Sequence, residues 1–458
     1  MSWIRPDLNE SEKRMTAAAS ERLRAVRLKP RSAPFEAVVE APGSKSITNR
    51  ALIIAALARG ETLLHGALES EDTLYMAESL RRLGLDVAHD PANHTFRIAG
   101  GDGTFPAATA DLFVGNSGTS MRFLVAALPL GRGTFRIDGV ERMRKRPLSP
   151  LITALNALGA NVESELGTGG PPVAVRANGL PGGTIRMTGD QTSQYFSALL
   201  MAAPYAESGV TIEVIGDLVS KPYMPMTTRV MADFGVTAEL DEVNWSSMRV
   251  APGQRYEGRD YLIEPDASGA SYFFAAAAVT GSRVTIPGLG TASTQGDLQF
   301  VRALEQMGAS VEMTADQTTV TGPPDGNLHG VTIDMNAISD TAQTLAAIAP
   351  FADGPTTITG IGHARLKETD RVAALANELR KMGQEIDEFP DGLTIVPRPV
   401  TATEIETYDD HRMAMSFGVA ALRAPGIAIL DPACTAKTFP DFFDRLSLAT
   451  GAELIEER

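Results

Sequence analysis

The stretch APGSKSITNR, from Ala41 to Arg50, places Lys45, Arg50 and several hydroxyl residues directly before the apolar run ALIIAALA. A helix N-terminus is already electropositive, so cations there oppose the macrodipole. The conflict is relieved if an anion sits among them, held by free backbone N–H groups, the dipole and the cations together. Similar polar caps precede apolar runs at GNSGTSMRFLVAALPL, GDQTSQYFSALLMAAP, EPDASGASYFFAAAAV, ISDTAQTLAAIAPF and YDDHRMAMSFGVAAL. Ser, Thr, Asn and Asp suit the N-cap. Capping does not need Lys45, Arg50, Asn116, Gln194, Asp340, Asp410, His411 or Arg412. A second series of polar clusters reads ESEDT, VERMRKRPLSP, SKPYMP, STQGD, RLKETDR and CTAKTFPD. It contributes Arg142, Arg144, Lys145, Arg146, Lys221, Lys367, Arg371 and Lys437, of which Arg144 and Lys145 read as solvated surface charges. Asp340, Glu368 and Asp410 are the carboxylates among these cations. Each is a general base, a general acid or a salt-bridge partner, and Asp410 reads as structural, orienting His411 or Arg412.

The elements that position these residues recur. Six segments follow one order: an extended run, a polar cap, a small-residue apolar helix, a β run, a second helix closing at Gly, then more β. The second helices close with LRRLGLDV, LNALGANV, MADFGVTA, LEQMGASV, LRKMGQEI and LATGAEL. The period is roughly 70–76 residues, far longer than a solenoid repeat. Each unit reads as β-α-β-α-β-β. First strands are predicted at FEAVVEA, DLFVG, TIRMTG, YLIEP, VTIDM and EIETY from alternation and β-branched content, and helix stops from the closing Gly. The last unit is expected to lack its final strand, because the chain ends at Arg458. Both polar series then lie at C-terminal strand ends feeding helix N-termini, where α/β ligands bind. Gathered in one cleft, they make a cationic site for small polyanions carrying phosphate and carboxylate.

The bulk numbers narrow the alternatives. The chain has 458 residues, 43% of them hydrophobic, and a formal net charge of −15. The length corresponds to roughly three ordinary domains. The acidic balance argues against nucleic-acid or anionic-membrane binding. Cys434 is the only cysteine, so an intrachain disulfide is excluded and a reducing compartment fits. It reads as an inert thiol. No run reaches membrane-span length, and the N-terminus lacks the apolar region of a secretory signal. Ser11 to Leu28 reads as a short amphipathic helix or a loose tail. PGSKS is not a P-loop, GNSGTS is too weak for a dinucleotide fingerprint, and the six histidines show no zinc spacing.

The motifs PGSKSITNRAL, GNSGTSMRFL, ERMRKRPL, TSQYFSALLM, SKPYMPMT, DASGASYF, KETDR, DDHRMAM and CTAKTFPDFF resemble, in order, those of the 5-enolpyruvylshikimate-3-phosphate (EPSP) synthase family of enolpyruvyl transferases. The resemblance runs from about residue 36 to 445. It implies an α/β fold of two lobes, three β-α-β-α-β-β units each, with the active site in the interlobe cleft. The chain begins in one lobe, builds the other, then returns. The expected division is an N-terminal tail, 1–34, a discontinuous lobe of 35–43 plus 264–458, and a second lobe of 44–263, with crossovers near Pro42–Ser44 and Leu262–Pro265.

The reaction implied is transfer of the enolpyruvyl group of phosphoenolpyruvate to the 5-hydroxyl of shikimate 3-phosphate, with release of phosphate and no cofactor or metal. By the same resemblance, Ser46 and Arg50 hold the shikimate carboxylate. Thr192, Ser193, Ser220 and Lys367 hold its phosphate, with His363 beside it, and Gln194 and Tyr223 line the ring. Lys45, Arg142, Arg371, Arg412 and Lys437 bind phosphoenolpyruvate, with Asn116, Gly118 and Gln194 close by. Lys45 and Gln194 are shared by both substrates, and Asp340 also contacts shikimate 3-phosphate. Asp340 is similar to the family's proposed base for the 5-hydroxyl. Glu368 is similar to the group that protonates the methylene carbon and later takes that proton back. Lys45 steadies the departing phosphate, and His411 is the further proton donor to consider. Ligand anions are expected to draw together two lobes that present like charges across the cleft.

Thr192 stands where the family often has Ser, and His363 where some members have Asn. Gly118 matches the position where a methyl group crowds glyphosate, an inhibitor longer than phosphoenolpyruvate, so a glyphosate-sensitive enzyme is expected. Ser117 and Phe123 stand where many members have Ala and Pro. Two other readings fit less well. One is transfer of enolpyruvate to UDP-N-acetylglucosamine, whose enzymes typically use a loop Cys as acid. The other is a silent phosphometabolite-binding relative, which has no need of both Asp340 and Glu368. A cytoplasmic monomer acting on small molecules alone is expected.

Overall fold

The computed structural model describes residues 23–30 and 33–458. Among them are six four-stranded sheets of one connectivity. The unit of Thr109–Phe113, Arg132–Asp138, Val162–Ser164 and Val173–Asn178 shows it. Its first two strands are parallel and joined through the capped helix Gly118–Ala127. The last two return antiparallel after the second helix, Ser149–Ala157. The glycine closing each second helix, Gly84, Gly159, Gly235, Gly308, Gly383 and Gly451, has φ between 65° and 101°. A side chain is strained there, which explains the recurrence.

The capped helices are small-residue helices because they are buried on nearly every side. All but one residue of Lys45–Leu57 and of Ala267–Thr280 is buried, as expected of a helix that is apolar all round. Buried apolar side chains form two clusters among the described residues. One runs from Ile47 to Ile263, and the other takes Val26, Leu28, Val39 and residues from Ala267 to Ala452. In the first, Gly118–Ala127 packs on Lys45–Leu57 and Gln194–Ala202; in the second, Ala267–Thr280, Ala342–Ile348 and His411–Ala421 pack on one another. Ser44, Ser117, Asp266 and Asp410 cap through their side chains. Ser193 and Thr341 make no such bond, although Thr192 Oγ1 accepts from the Gln194 N–H at 3.2 Å.

Two pairings depart from the simple six-unit repeat. Glu36–Val38 precedes Lys45–Leu57 but pairs with Arg283–Pro287, while Asp260–Leu262 pairs with Glu61–His65. The first and fourth units thus exchange their leading strands. The two connecting segments pass side by side, with Gly43 bridged to Pro265, Ser44 N–H donating to the Glu264 carbonyl at 2.9 Å and Asp266 N–H to that of Pro42 at 2.7 Å. Second, the last sheet has its fourth strand. Ala25–Lys29 lies between Ala428–Leu430 and Glu453–Glu457, antiparallel to both. Residues expected to be tail or amphipathic helix therefore complete the C-terminal unit, with Val26 and Leu28 pointing into its core. The rest of that expected helix, residues 11–22, lies outside the described residues.

Candidate active site

The first residues of five helices, Lys45, Gly118, Gln194, Tyr223 and Arg371, and the second residue of a sixth, Arg412, face one cleft between the two cores. Helix N-termini turned toward one space favour an anion there through their dipoles. Ser46, Thr192, Ser193, Ser220, His363 and Lys367 line the same cleft.

Asp340 sits at its centre. Its carboxylate meets Lys367 Nζ at 2.5 Å, Arg412 Nη2 at 2.8 Å and Arg371 Nη1 at 3.2 Å, and accepts from the Tyr223 hydroxyl at 3.2 Å. Burial alone raises a carboxyl, but these cations outweigh it and hold Asp340 well below the usual range. Glu368 is the second carboxylate. Arg371 Nη2 lies 2.9 Å away, Lys437 Nζ 3.5 Å and Arg146 Nη1 3.7 Å. Against the opposing effect of burial, Arg371, Arg146 and Lys437 hold it too well below the usual range. Both groups are therefore ionised, flanked by cations that a ligand anion can compete for. Asp410 takes the structural role expected of it. It caps His411–Ala421 and accepts from Arg371 Nε at 2.7 Å and Nη2 at 3.2 Å.

One end of the cleft gathers a cation, an imidazole and hydroxyl groups. Lys367 Nζ donates to Ser339 Oγ at 3.1 Å, and His363 Nε2 lies 2.9 Å from Ser339 Oγ and 3.4 Å from Ser220 Oγ. Burial, with Lys367 next, pushes His363 down to about 3, so its ring is neutral and can offer one N–H.

Several expected residues lie elsewhere. Arg142 does not line the cleft; Arg146 does. Arg142 instead donates to the backbone carbonyls of Lys367, at 2.6 Å, and Glu368, at 2.9 Å, latching one lobe to the segment that carries Glu368. Arg50 is behind the wall. It donates to the Ser46 carbonyl at 2.9 Å, Thr227 Oγ1 at 2.8 Å and Ser197 Oγ at 3.2 Å. Burial lowers it to about 10. His411 is fully buried with neither ring nitrogen hydrogen-bonded among the described residues. Burial, Arg412 and Lys45 hold it far below its ordinary value, so the ring is neutral, lacks the acidic imidazolium proton, and the expected donor role is not supported. Asn116 and Lys437 stand just behind the cleft, where Lys437 Nζ donates to the Asn116 carbonyl at 2.7 Å. The lobes meet through opposite charges and carbonyls, not the like charges expected. Arg146 approaches Glu368, Arg142 holds two carbonyls, and Lys437 lies 3.7 Å from Asp72.

The sequence reading also missed Arg122 and Asp72. Arg122 Nη1 donates to Gln194 Oε1 at 2.9 Å and the Gly118 carbonyl at 3.0 Å; its guanidinium lies 5.4 Å from the Tyr195 ring centre. Asp72 is buried beside Lys45 Nζ, at 3.9 Å. The signal for Arg122 was a cation one turn into an otherwise apolar helix. An Arg146→Ala variant should raise the KM for an anionic substrate by about tenfold, the loss of one hydrogen bond to a charge. Arg142→Ala should leave that KM within about threefold and act on turnover, by loosening the Glu368 segment. Steady-state kinetics of the two variants check this; a larger KM effect from Arg142 reverses the assignment.

A two-lobed α/β protein whose helix N-termini and cations surround paired carboxylates is suited to group transfer between small polyanions. A family model described as EPSP synthase (3-phosphoshikimate 1-carboxyvinyltransferase) matches residues 30–446, and the chain belongs to that family. It is 52% identical to the 3-phosphoshikimate 1-carboxyvinyltransferase of Nostoc punctiforme, over 90% of this chain and 96% of that one. It is 44% identical to the chloroplastic 3-phosphoshikimate 1-carboxyvinyltransferase of Arabidopsis thaliana, over 98% of this chain and 89% of that one. The crystal structure of EPSP synthase from Acinetobacter baumannii superposes with a TM-score of 0.77 at 27% identity, covering 94% of this chain and 99% of that one.

Proposed function

We propose that this chain transfers the enolpyruvyl group of phosphoenolpyruvate to the 5-hydroxyl of shikimate 3-phosphate. The observation that carries the reading is the placing of two separate ionised carboxylates, Asp340 and Glu368, in one cleft at six helix N-termini. Lys367 and Arg412 pair with Asp340, Arg146 and Lys437 with Glu368, and Arg371 bridges the two. The proposed lobes are 44–263 and 35–43 plus 264–458, the latter joined by the strand Ala25–Lys29.

The phosphate of shikimate 3-phosphate is assigned to Thr192, Ser193, Ser220, His363 and Lys367. Its carboxylate is assigned to Ser46, with Arg50 behind. No carboxylate of the described residues pairs with that buried guanidinium, so a ligand carboxylate nearby offsets its charge. Phosphoenolpyruvate is assigned to Lys45, Gly118, Arg122, Arg146, Gln194, Arg371 and Arg412, with Lys437 beside Glu368. In the addition step the 5-oxygen bonds to C2 of phosphoenolpyruvate. Its proton passes to Asp340, and Glu368 protonates C3. Glu368 must first take up a proton. Substrate anions that draw Arg146, Arg371 and Lys437 away from it raise its proton affinity for that purpose. In the elimination step Glu368 removes a proton from C3, the C2–O bond breaks, and phosphate leaves with the proton from Asp340. The cations stabilise its charge as it develops.

Cys434 does not line the cleft and burial pushes its thiol up, so the cysteine-acid chemistry of the UDP-N-acetylglucosamine enzymes has no support here. No helix among the described residues is long and apolar enough to cross a membrane; we assign the chain to the cytoplasm and to a monomer. Phosphate release should require both phosphoenolpyruvate and shikimate 3-phosphate, and should persist in excess chelator. Release with UDP-N-acetylglucosamine instead, or with neither acceptor, overturns the reading.

A further inference from the structure

Asp297 ends the polar cluster STQGD and lies in the turn Gly296–Gln299; the sequence reading gave it no role. It is 5% exposed. Its Oδ2 accepts from Ser268 Oγ and lies 3.4 Å from Tyr223 Oη. Its Oδ1 is buried with no hydrogen-bond partner among the described residues. The same Tyr223 Oη is 3.2 Å from Asp340 Oδ2. A phenol has one hydrogen, so it cannot donate to both carboxylates. Two ionised groups facing one hydroxyl leave one of them short of a donor, and an ionised Asp297 leaves a bare charged oxygen in the interior. One proton on Asp297 removes both problems.

We propose that Asp297 is held as a neutral carboxylic acid and acts through Tyr223 as a positioning residue for Asp340. Asp297 O–H donates to Tyr223 Oη, and the Tyr223 hydrogen is thereby directed at the Asp340 carboxylate. The role rests on the reading of Asp340 as acceptor of the substrate hydroxyl proton. It fixes the Oδ2 side of the carboxylate together with Arg412, while Lys367 and Arg371 hold Oδ1 until a ligand anion competes for them. If Asp297 ionises, the Tyr223 hydrogen is drawn to it and a second negative charge faces Asp340. The groups around Asp297 act in both directions. Burial raises it most, then Asp340; Arg412 and Ser268 lower it; Asp266 raises it; the outcome is a carboxyl pushed up to about 6. Two bound polyanions push the same way.

The test compares Asp297→Asn, which keeps an N–H donor toward Tyr223 Oη, with Asp297→Leu, which has none. The Asn variant should keep turnover within about threefold, and the Leu variant should lose about tenfold, the effect of one misdirected hydrogen bond, with both KM values little changed. The wild-type turnover profile should fall on its alkaline side as Asp297 ionises, and the Asn variant should lack that fall. In a Tyr223→Phe background, Asp297→Leu should cost nothing further. An Asn variant as slow as Leu shows that a negative charge is required and overturns the proposal. So does a further tenfold loss in the Phe background. If Leu prevents folding, infrared difference spectra of wild type against Asp297→Asn remain. A protonated-carboxyl band present at acid pH in the wild type alone, and lost as pH rises through about 6, supports the proposal; its absence refutes it. Failure of the reaction assignment itself is distinguishable, because wild type then releases no phosphate with the two substrates.

Discussion

A Glu368→Gln variant is expected to turn over roughly a hundredfold or more slowly than wild type, the range of general acid–base catalysis, while binding both substrates. Glutamine keeps the length of the side chain and a carbonyl acceptor for Arg371 but carries no transferable proton. The fold should tolerate it, since Arg371 keeps Asp410 and Asp340 as partners. The proton balance gives a second readout. Glu368 is held well below its ordinary value by Arg371, Arg146 and Lys437 against the effect of burial, so without ligands it is ionised at neutral pH. Anions that engage those cations raise its proton affinity. Ligand binding should therefore take protons up from solution, and calorimetry in buffers of different ionisation enthalpy should show less uptake in Glu368→Gln. Turnover near that of wild type would make Glu368 a structural ion-pair partner.

Gly118→Ala is expected to weaken glyphosate inhibition by about 10–100-fold, the span of an overpacking cost of about 1–3 kcal/mol. The KM for phosphoenolpyruvate should change much less. Gly118 lies outside the left-handed region, so an alanine is not excluded by the backbone. Its Cβ would stand 2.4 Å from Arg146 Nη2 and 2.5 Å from Arg122 Nη1. Both guanidinium groups are tethered, Arg146 to the Asn116 carbonyl at 3.0 Å and Arg122 to Gln194 at 2.9 Å. The methyl group therefore displaces them toward the cleft and shortens it. A steric displacement rejects the longer ligand selectively. Inhibition and saturation curves on the two proteins decide the matter: an equal loss for both ligands means that the methyl acts by spoiling anion binding, not by length.

What the sequence made legible was local. Cap, apolar run and closing glycine are encoded within a few residues, so the repeating unit and the helix N-termini could be read directly. Partner choice could not. Glu36–Val38 and Asp260–Leu262 both precede capped helices, and nothing in either strand states that the two are exchanged. The same holds for Ala25–Lys29, whose partners lie some 400 residues away. In the site, cationic residue types were legible but directions were not. Arg142 and Arg146 share the motif ERMRKRPL, and the short helix Glu141–Arg144 followed by a turn decides which of them enters the cleft. His411 sits in a conspicuous motif, yet its burial depends on elements far along the chain. Asp297 escaped notice because its meaning comes from Tyr223 and Asp340, each on another element.

The strand Ala25–Lys29 also sets a timetable for synthesis. It leaves the ribosome some 400 residues before both its neighbours, Ala428–Leu430 and Glu453–Glu457. At about 5–20 residues per second, the wait is roughly 20–80 s. During that time its alternating apolar face has no sheet to join, while the core spanning Ile47 to Ile263 is complete in sequence and can consolidate. The nascent chain therefore carries an unpaired β segment throughout that interval, a natural substrate for a holding chaperone, and the last sheet closes only once Glu453–Glu457 has emerged.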